Sequence, residues 1–372
     1  MRAFWILGAV VLHGCSASDS TDAVDSGDSA GQAAVPAFGA EMAPSYTVIA
    51  DSGNKLNVPR DLGFHPRHDE LWIVNQATDS VVIIDAPGTD EQESVRKKDS
   101  YANHFMEEVS SIAWGDASEA TDGEEAFGTC QESRNTYDDA GVPNDFMGPV
   151  LWPGDRDVFA VANQNSNTML GSHLDMLHAS PNCVGIAHDT GNAYWVFDGR
   201  NGHLVYYDFQ EDHGPGGDFH GDGIIRRYQE VELSRKKDVP GHMIVDQETG
   251  LLYIADTGNG RVVEVDTASG QVSGNLPQTM EALEEFSTVE GVDFRDLVTG
   301  MEKPSGIALD VESKTLFVSD WKTGEIVAFD LDGTELGRIE TPAQGIMGLE
   351  VGPEGLLWYV DGAANELVRI DP

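Results

Sequence analysis

The sequence predicts an all-β fold, a β-propeller, and three observations carry that reading. One unit recurs along most of the 372 residues, the unit is made of strand-forming runs, and its spacing is that of a radial array. The unit is clearest at residues 304–330, PSGIALDVESKTLFVSDWKTGEIVAFD, with further copies at 60–85, 183–209, 242–266 and 345–371. Each copy holds a short apolar run, a turn, and a second apolar run ending in Asp or Asn (Asn75, Asp198, Asp256, Asp320, Asp361). A Gly/Asn/Thr turn and an alternating run follow. Runs rich in Val, Ile and aromatics, bounded by Gly, Asn and Asp, read as strands joined by hairpins.

Two weaker copies complete the series, one at 110–138 with an acidic insertion and one at 148–170 without a clean third run. Counted separately they make seven blades, the favoured number; fused into one irregular unit they make six. Sheets of about four strands at intervals of about 45 residues protect their edges by standing radially around a channel. The last copy ends after three strands, and SYTVIAD at 45–51 stands alone before the first. This segment is expected to supply the missing outer strand and close the ring, so that both termini belong to one blade.

Ahead of the repeats, Arg2 is followed by the apolar run AFWILGAVVL and then Leu12-His13-Gly14-Cys15. About ten apolar residues are too few to span a bilayer and read as a cleaved signal. The Leu-x-Gly-Cys box resembles the bacterial lipoprotein signal. That resemblance implies a signal peptide at 1–14, lipidation of Cys15 and, with Ser16 next, delivery to the outer membrane of a Gram-negative cell envelope. Residues 15–44 contain no Lys or Arg and few large apolar side chains, so they read as an acidic disordered tether to a propeller at 45–372.

Composition narrows the partners. With 64 acidic and 22 basic residues the net charge is −42, which excludes nucleic acid or anionic lipid as a bulk electrostatic partner. Contact with the membrane is expected only through the lipid anchor. No Gly-x-Ser-x-Gly elbow, phosphate-binding loop, His-Glu-x-x-His helix or Rossmann fingerprint is present.

The stretch LLYIADTGNGRVVEVD within 242–266, together with 304–330, resembles the NHL-repeat propellers. The resemblance covers about residues 45–372 and implies a scaffold shared by binding modules and by enzymes such as the peptidylglycine amidating lyase, whose channel holds a metal on histidines. Similarity to that lyase is distant. It bears on His242, which follows Pro240 by one residue more than the lyase pattern has.

Histidine is the ligand type to follow. His104, His178 and His242 precede or begin innermost strands, so the loops that carry them are expected to share one rim of the channel. Neutral imidazole is a common ligand of zinc or copper, and three with an open position make a catalytic metal site. His173 is a weaker addition. Hydrogen bonding within the loops explains the same residues without a metal.

The loop at 211–223, with Asp212, Asp218 and Asp222 among glycines, is a candidate calcium loop, although it lacks EF-hand spacing and reads equally as solvated acidic chain. It follows a third strand, which predicts the face opposite the histidines. Cys130 and Cys183 are a candidate disulfide in an oxidising compartment. By the repeat alignment Cys130 takes the position of Asp256 and Asp320. Trp321, in a turn on the mouth face, is a candidate ligand platform. Two functions are compatible with these residues: a module binding a protein, peptide or glycan at its mouth loops, or a metal-dependent lyase or hydrolase with its ion on the histidines.

Overall fold

The computed structural model describes residues 44–117, 123–136 and 143–372. Six sheets stand around a channel. From the channel outward, blade 1 holds Pro59–Phe64, Glu70–Asn75, Ser80–Asp85 and Glu93–Lys97. Blade 2 holds Val109–Ala117, Glu125–Gln131, Val150–Pro153 and the two-residue strand Asp175–Met176. Blade 3 holds Cys183–His188, Ala193–Asp198, His203–Asp208 and Ile224–Glu232. Blade 4 holds Met243–Asp246, Leu251–Asp256, Arg261–Asp266 and Phe294–Thr299. Blade 5 holds Pro304–Asp310, Thr315–Asp320, Glu325–Asp330 and Glu335–Glu340. Blade 6 holds Ile346–Val351, Leu357–Asp361, Glu366–Asp371 and, as its outer strand, Ser45–Ala50.

The count is six, not the favoured seven. The copy at 110–138 supplies only the two inner strands of blade 2, and the copy at 148–170 supplies its third. Neither half has four strands to shield its own edges, so the two satisfy their backbone groups by pairing, Ala126 opposite Pro153 and Thr129 opposite Val150. The ring closes through the N-terminal strand, with Ser45 opposite Asp371 and Val48 opposite Val368.

Apolar packing lies between blades. Along the second strand of blade 1, Trp72 and Val74 join Phe127 and Trp152 of blade 2, while Leu71 and Ile73 join Trp358 and Val360 of blade 6. Alternate side chains of one strand therefore serve two neighbours, and both faces are dry. That explains why the second runs read as unbroken apolar stretches rather than as alternating ones. Six such clusters, one per interface, make up the core. Each large side chain buried there contributes about 1.5–3 kcal/mol.

One departure from the repeat bears on function. The chain between the third and fourth strands of blade 4 leaves that blade as a hairpin, Gln271–Asn275 and Glu285–Glu290, and joins the outer edge of blade 3. There Ile224 to Arg227 pair in parallel with Glu285 to Thr288, and Arg226 forks onto the Glu285 carboxylate at 2.9 and 3.0 Å. The hairpin covers an edge that would otherwise be open. It also carries residues 276–284 to the junction of blades 2 and 3.

Candidate functional site

The recurrent aspartates hold the mouth face together. Asp320 accepts the main-chain N–H groups of Lys322 and Thr323 on one oxygen, and those of Glu302 and Lys303 on the other. Asp361 repeats the pattern with Ala363, Ala364 and Gln344. Each carboxylate caps its own turn and grips the chain that leads into its own blade, which is structural work.

The mouth of the channel is occupied. Residues 234–240 cross it, and Val239 is buried among Leu56, Leu62 and Met347 of blades 6 and 1. Beneath, the fully buried Arg60 pairs with Glu132, which also receives Arg235 and the main-chain N–H of Asp238. Trp321, the expected platform, is partly buried against this same cluster. It packs the plug rather than presenting an open aromatic face.

Below the plug lies a cavity of about 340 Å³ lined by the inner strands, with the buried Asp61 and His242, the partly buried Glu350 and His188, and the exposed Gln247 at its far end. His242 Nε2 is 3.0 Å from the Arg60 carbonyl oxygen, which only accepts, so Nε2 carries the hydrogen. His242 Nδ1 then faces Asp61 Oδ2 at 3.2 Å. Burial holds the imidazole neutral, its pKa down at about 3, and pushes the Asp61 carboxyl well above the usual range against the pull of two backbone N–H bonds from Ile112 and Leu62. The contact therefore sets a neutral imidazole against a carboxyl that burial drives toward its protonated form, and is not an ion pair. Enclosure likewise raises Glu350, to about 8.

The expected triad does not form. His242 belongs to the channel, whereas His104 and His178 lie at the junction of blades 2 and 3, their rings nearly parallel with centroids 5.7 Å apart. Among the described residues, no group of metal-competent atoms includes His104 or His242. The reason is local: His242 immediately precedes its strand, whereas His178 precedes Cys183 by five residues that carry it outward. Instead His178 meets His220, ring centroids 5.4 Å apart, and Glu281 on the hairpin tip, 2.8 Å from its Nδ1. Burial brings the His178 pKa down to about 4 despite Glu281. His220 is raised: burial opposes its charge, but the Asp175 carboxylate at 2.7 Å outweighs burial. His173 stacks on Phe105 with centroids 3.7 Å apart, and burial brings it down to about 4 as well.

This corrects a second expectation. The 211–223 loop was placed opposite the histidines because it follows a third strand, yet it folds back along the blade edge, where Gly216 donates to the His173 carbonyl oxygen. Its acidic residues do not converge. Asp222 accepts from His213 at 3.0 Å, and Asp212, Asp218 and Asp222 form no cation-sized group among the described residues. A further cluster, His65, His68 and Glu124, is unsuited to a metal. His65 Nδ1 accepts two backbone N–H groups, so its Nε2 holds the hydrogen, and Arg67 already pairs with Glu124.

Cys130 and Cys183 are joined, their Cα atoms 5.1 Å apart. The pairing register puts Gln131, not Cys130, at the position of Asp256 and Asp320: Gln131 lies opposite Val109 as Asp198 lies opposite Cys183. The shift of one residue turns Cys130 to the other face of its strand, toward blade 3. Cys15, the signal and the tether up to residue 43 lie outside the described residues.

A cleft of about 440 Å³ opens beside the junction, lined by Pro181, Arg200, His203, Arg227, Met280 and Phe286 among others. Its Ala179 and Met280 are the chain neighbours of His178 and Glu281. Arg227 is anchored to Asp198 at 2.7 Å, whereas Arg200 is half-exposed and only 3.8 Å from Asp145. Sequence reading missed Glu281, Asp61 and Glu350, and assigned His220, with its loop, to the opposite face. A carboxylate inside an apolar inner run was a usable sign for Asp61 and Glu350; Glu281 left none.

Six four-stranded blades around a channel, one of them extended by a hairpin, define a six-bladed β-propeller. No protein-family model matches the sequence, and no curated protein matches it. Solved structures share the fold. A glucose dehydrogenase superposes with a TM-score of 0.55 at 14% identity, over 88% of this chain and 100% of that one. A luciferin-regenerating enzyme gives 0.53 at 12%, over 89% and 96%. An auxiliary nutrient binding protein from Bacteroides thetaiotaomicron gives 0.52 at 13%, over 88% and 77%. At these identities the likeness is one of fold alone.

Proposed function

We propose that this chain is a lipid-tethered propeller of the cell envelope, NHL-like in its repeats, that binds a peptide in the cleft between blades 2 and 3. The observation that carries the reading is the cleft's lining beside a plugged mouth. Met280, Phe286 and Pro181 suit an apolar side chain, Arg200 suits a carboxylate, and Asn201 and Gln229 suit peptide amides. Arg227 is neutralised by Asp198 and Asp145 also lines the cleft, so the exposed Arg200 is the cation available there to an acidic group. A binding role is compatible with a fold that also serves a nutrient binding protein.

Calorimetric titration of the full chain in detergent with acetylated tripeptides bearing free C-terminal carboxylates tests the reading. Met280→Arg and Arg200→Glu should each weaken binding about tenfold or more. Equal affinity in both variants, or no binding by any peptide, would overturn it. For the tether, Cys15→Ser should abolish lipid modification, read by mass spectrometry of the N-terminal peptide.

A second reading, a lyase or hydrolase, is favoured by the Asp61, His242 and Glu350 set in the channel. Two carboxyls raised by burial and a neutral imidazole around one cavity are the groups that general acid–base chemistry uses. Loss of a measured turnover in His242→Gln, with binding in the cleft intact, would favour it.

A further inference from the structure

Around His173 and His178, at the junction of blades 2 and 3, buried acceptor atoms lack partners among the described residues. His173 Nδ1 faces the Leu170 carbonyl oxygen at 2.8 Å, and His178 Nδ1 faces Glu281 at 2.8 Å, so both rings carry their hydrogen on Nδ1 and a bare lone pair on Nε2. Both Nε2 atoms are buried without a hydrogen-bond partner, and so is Asp175 Oδ2. His173 is 1% exposed and His178 3%. Among the described residues these three acceptors meet no donor, and of the three only His178 Nε2 belongs to a group of metal-competent side chains. A buried acceptor left unmet costs about 1–3 kcal/mol, so each calls for a donor or a cation.

We propose that this junction binds one divalent transition-metal ion, zinc by its donor types, at the group formed by His178, His220 and Glu281. One ligand atom from each lies within 4.8 Å of the other two. Zinc bonds of about 2.1 Å place neighbouring ligand atoms about 3.4 Å apart, so Glu281, whose carboxylate now accepts the backbone N–H and the Nδ1–H of His178, must turn from that ring edge to share an ion with His178 Nε2. Two imidazoles and a carboxylate form an established zinc donor set. The Asp175 carboxylate, 2.7 Å from His220 Nδ1, fixes the tautomer that leaves His220 Nε2 free for the ion, as carboxylates behind metal-bound histidines do.

The three ligands come from three segments: the chain leading into blade 3, the loop before its outer strand, and the tip of the blade 4 hairpin. Bound metal would fasten that hairpin and set the wall of the adjoining cleft, since Met280 follows from the same tip. The site stands on its own geometry and does not depend on peptide binding.

The test is direct titration of zinc, and of cobalt for its visible spectrum, into the untagged full chain after chelator treatment. Wild type should take up one equivalent, and the cobalt form should show the intense bands of a tetrahedral site. His220→Asn and Glu281→Gln should each weaken uptake by about 10–100-fold. His242→Gln, in the channel, should leave it unchanged. Circular dichroism of every variant separates lost ligands from lost folding. Stoichiometric uptake that survives both ligand substitutions in folded protein would overturn the proposal. So would failure of folded wild type to take up either ion.

Discussion

The Nδ1 atom of His242 and the Oδ2 atom of Asp61 stand 3.2 Å apart. His242 Nε2 is committed to the Arg60 carbonyl oxygen and burial holds the imidazole neutral, so Nδ1 presents a lone pair toward that carboxyl. The pair links the first strand of blade 1 to the start of blade 4 across the channel, beneath the plug.

Acid should destabilise the fold through this histidine. A folded pKa of about 3 against an ordinary 6.5 means that its stability contribution is present above pH 6.5 and is lost as pH falls toward 3. Over that window His242→Gln should flatten the decline by up to about 4 kcal/mol, read from urea unfolding at a series of pH values.

Alkali acts on the carboxyls in the opposite sense. Asp61 and Glu350 have raised folded pKa values, so their contribution is present below the ordinary carboxyl range and is lost as pH rises, for Glu350 through about 8. Glu350→Gln should equal wild type near pH 5 and exceed it at pH 9 by on the order of 2 kcal/mol, after allowance for water in the cavity. Thermal melts at the two pH values check the crossover.

Glu132→Gln leaves the fully buried Arg60 without its counter-charge, and the expected cost is about 3–5 kcal/mol. The double variant Arg60→Met with Glu132→Leu removes both charges and should recover much of that loss. Equal losses in the single and double variants would mean that the plug depends on shape rather than on charge.

The Cys130–Cys183 link closes a sequence separation of 53 residues. Loop entropy assigns such a link about 4 kcal/mol, and measured values run about 2–4. The Cys130→Ala, Cys183→Ala double variant should lose that amount under oxidising conditions and match reduced wild type. Alkylation of denatured, unreduced protein should label neither thiol.

Deleting residues 45–50 opens the ring at blade 6. Main-chain pairs from Ser45 to Ala50 are lost, together with the Tyr46 hydroxyl bond to the Glu340 carbonyl oxygen in blade 5. A loss on the order of 3–5 kcal/mol and a broader thermal transition are expected, followed by calorimetry.

The repeat made the blades, the closing strand and the turn-capping aspartates legible, because strand alternation and turn chemistry are set over a few residues. Cys130 shows the limit of that signal. Its neighbourhood was foreseen, but its face depended on a register one residue different from the alignment. The number of blades was undecidable along the chain, since a third run at 150–153 pairs with whichever edge is vacant. Local sequence determined what each run would be; only the folded ring decided which runs share a sheet.

Side-chain convergence lay further out of reach. His178, His220 and Glu281 meet because two long insertions and a hairpin fold back over one blade edge, and insertions have no repeat to calibrate them. Asp61 and His242 meet because two inner strands face each other across a channel whose width no single segment encodes. Backbone periodicity is a short-range property of sequence, whereas a site joins residues whose distances are fixed by everything packed between them.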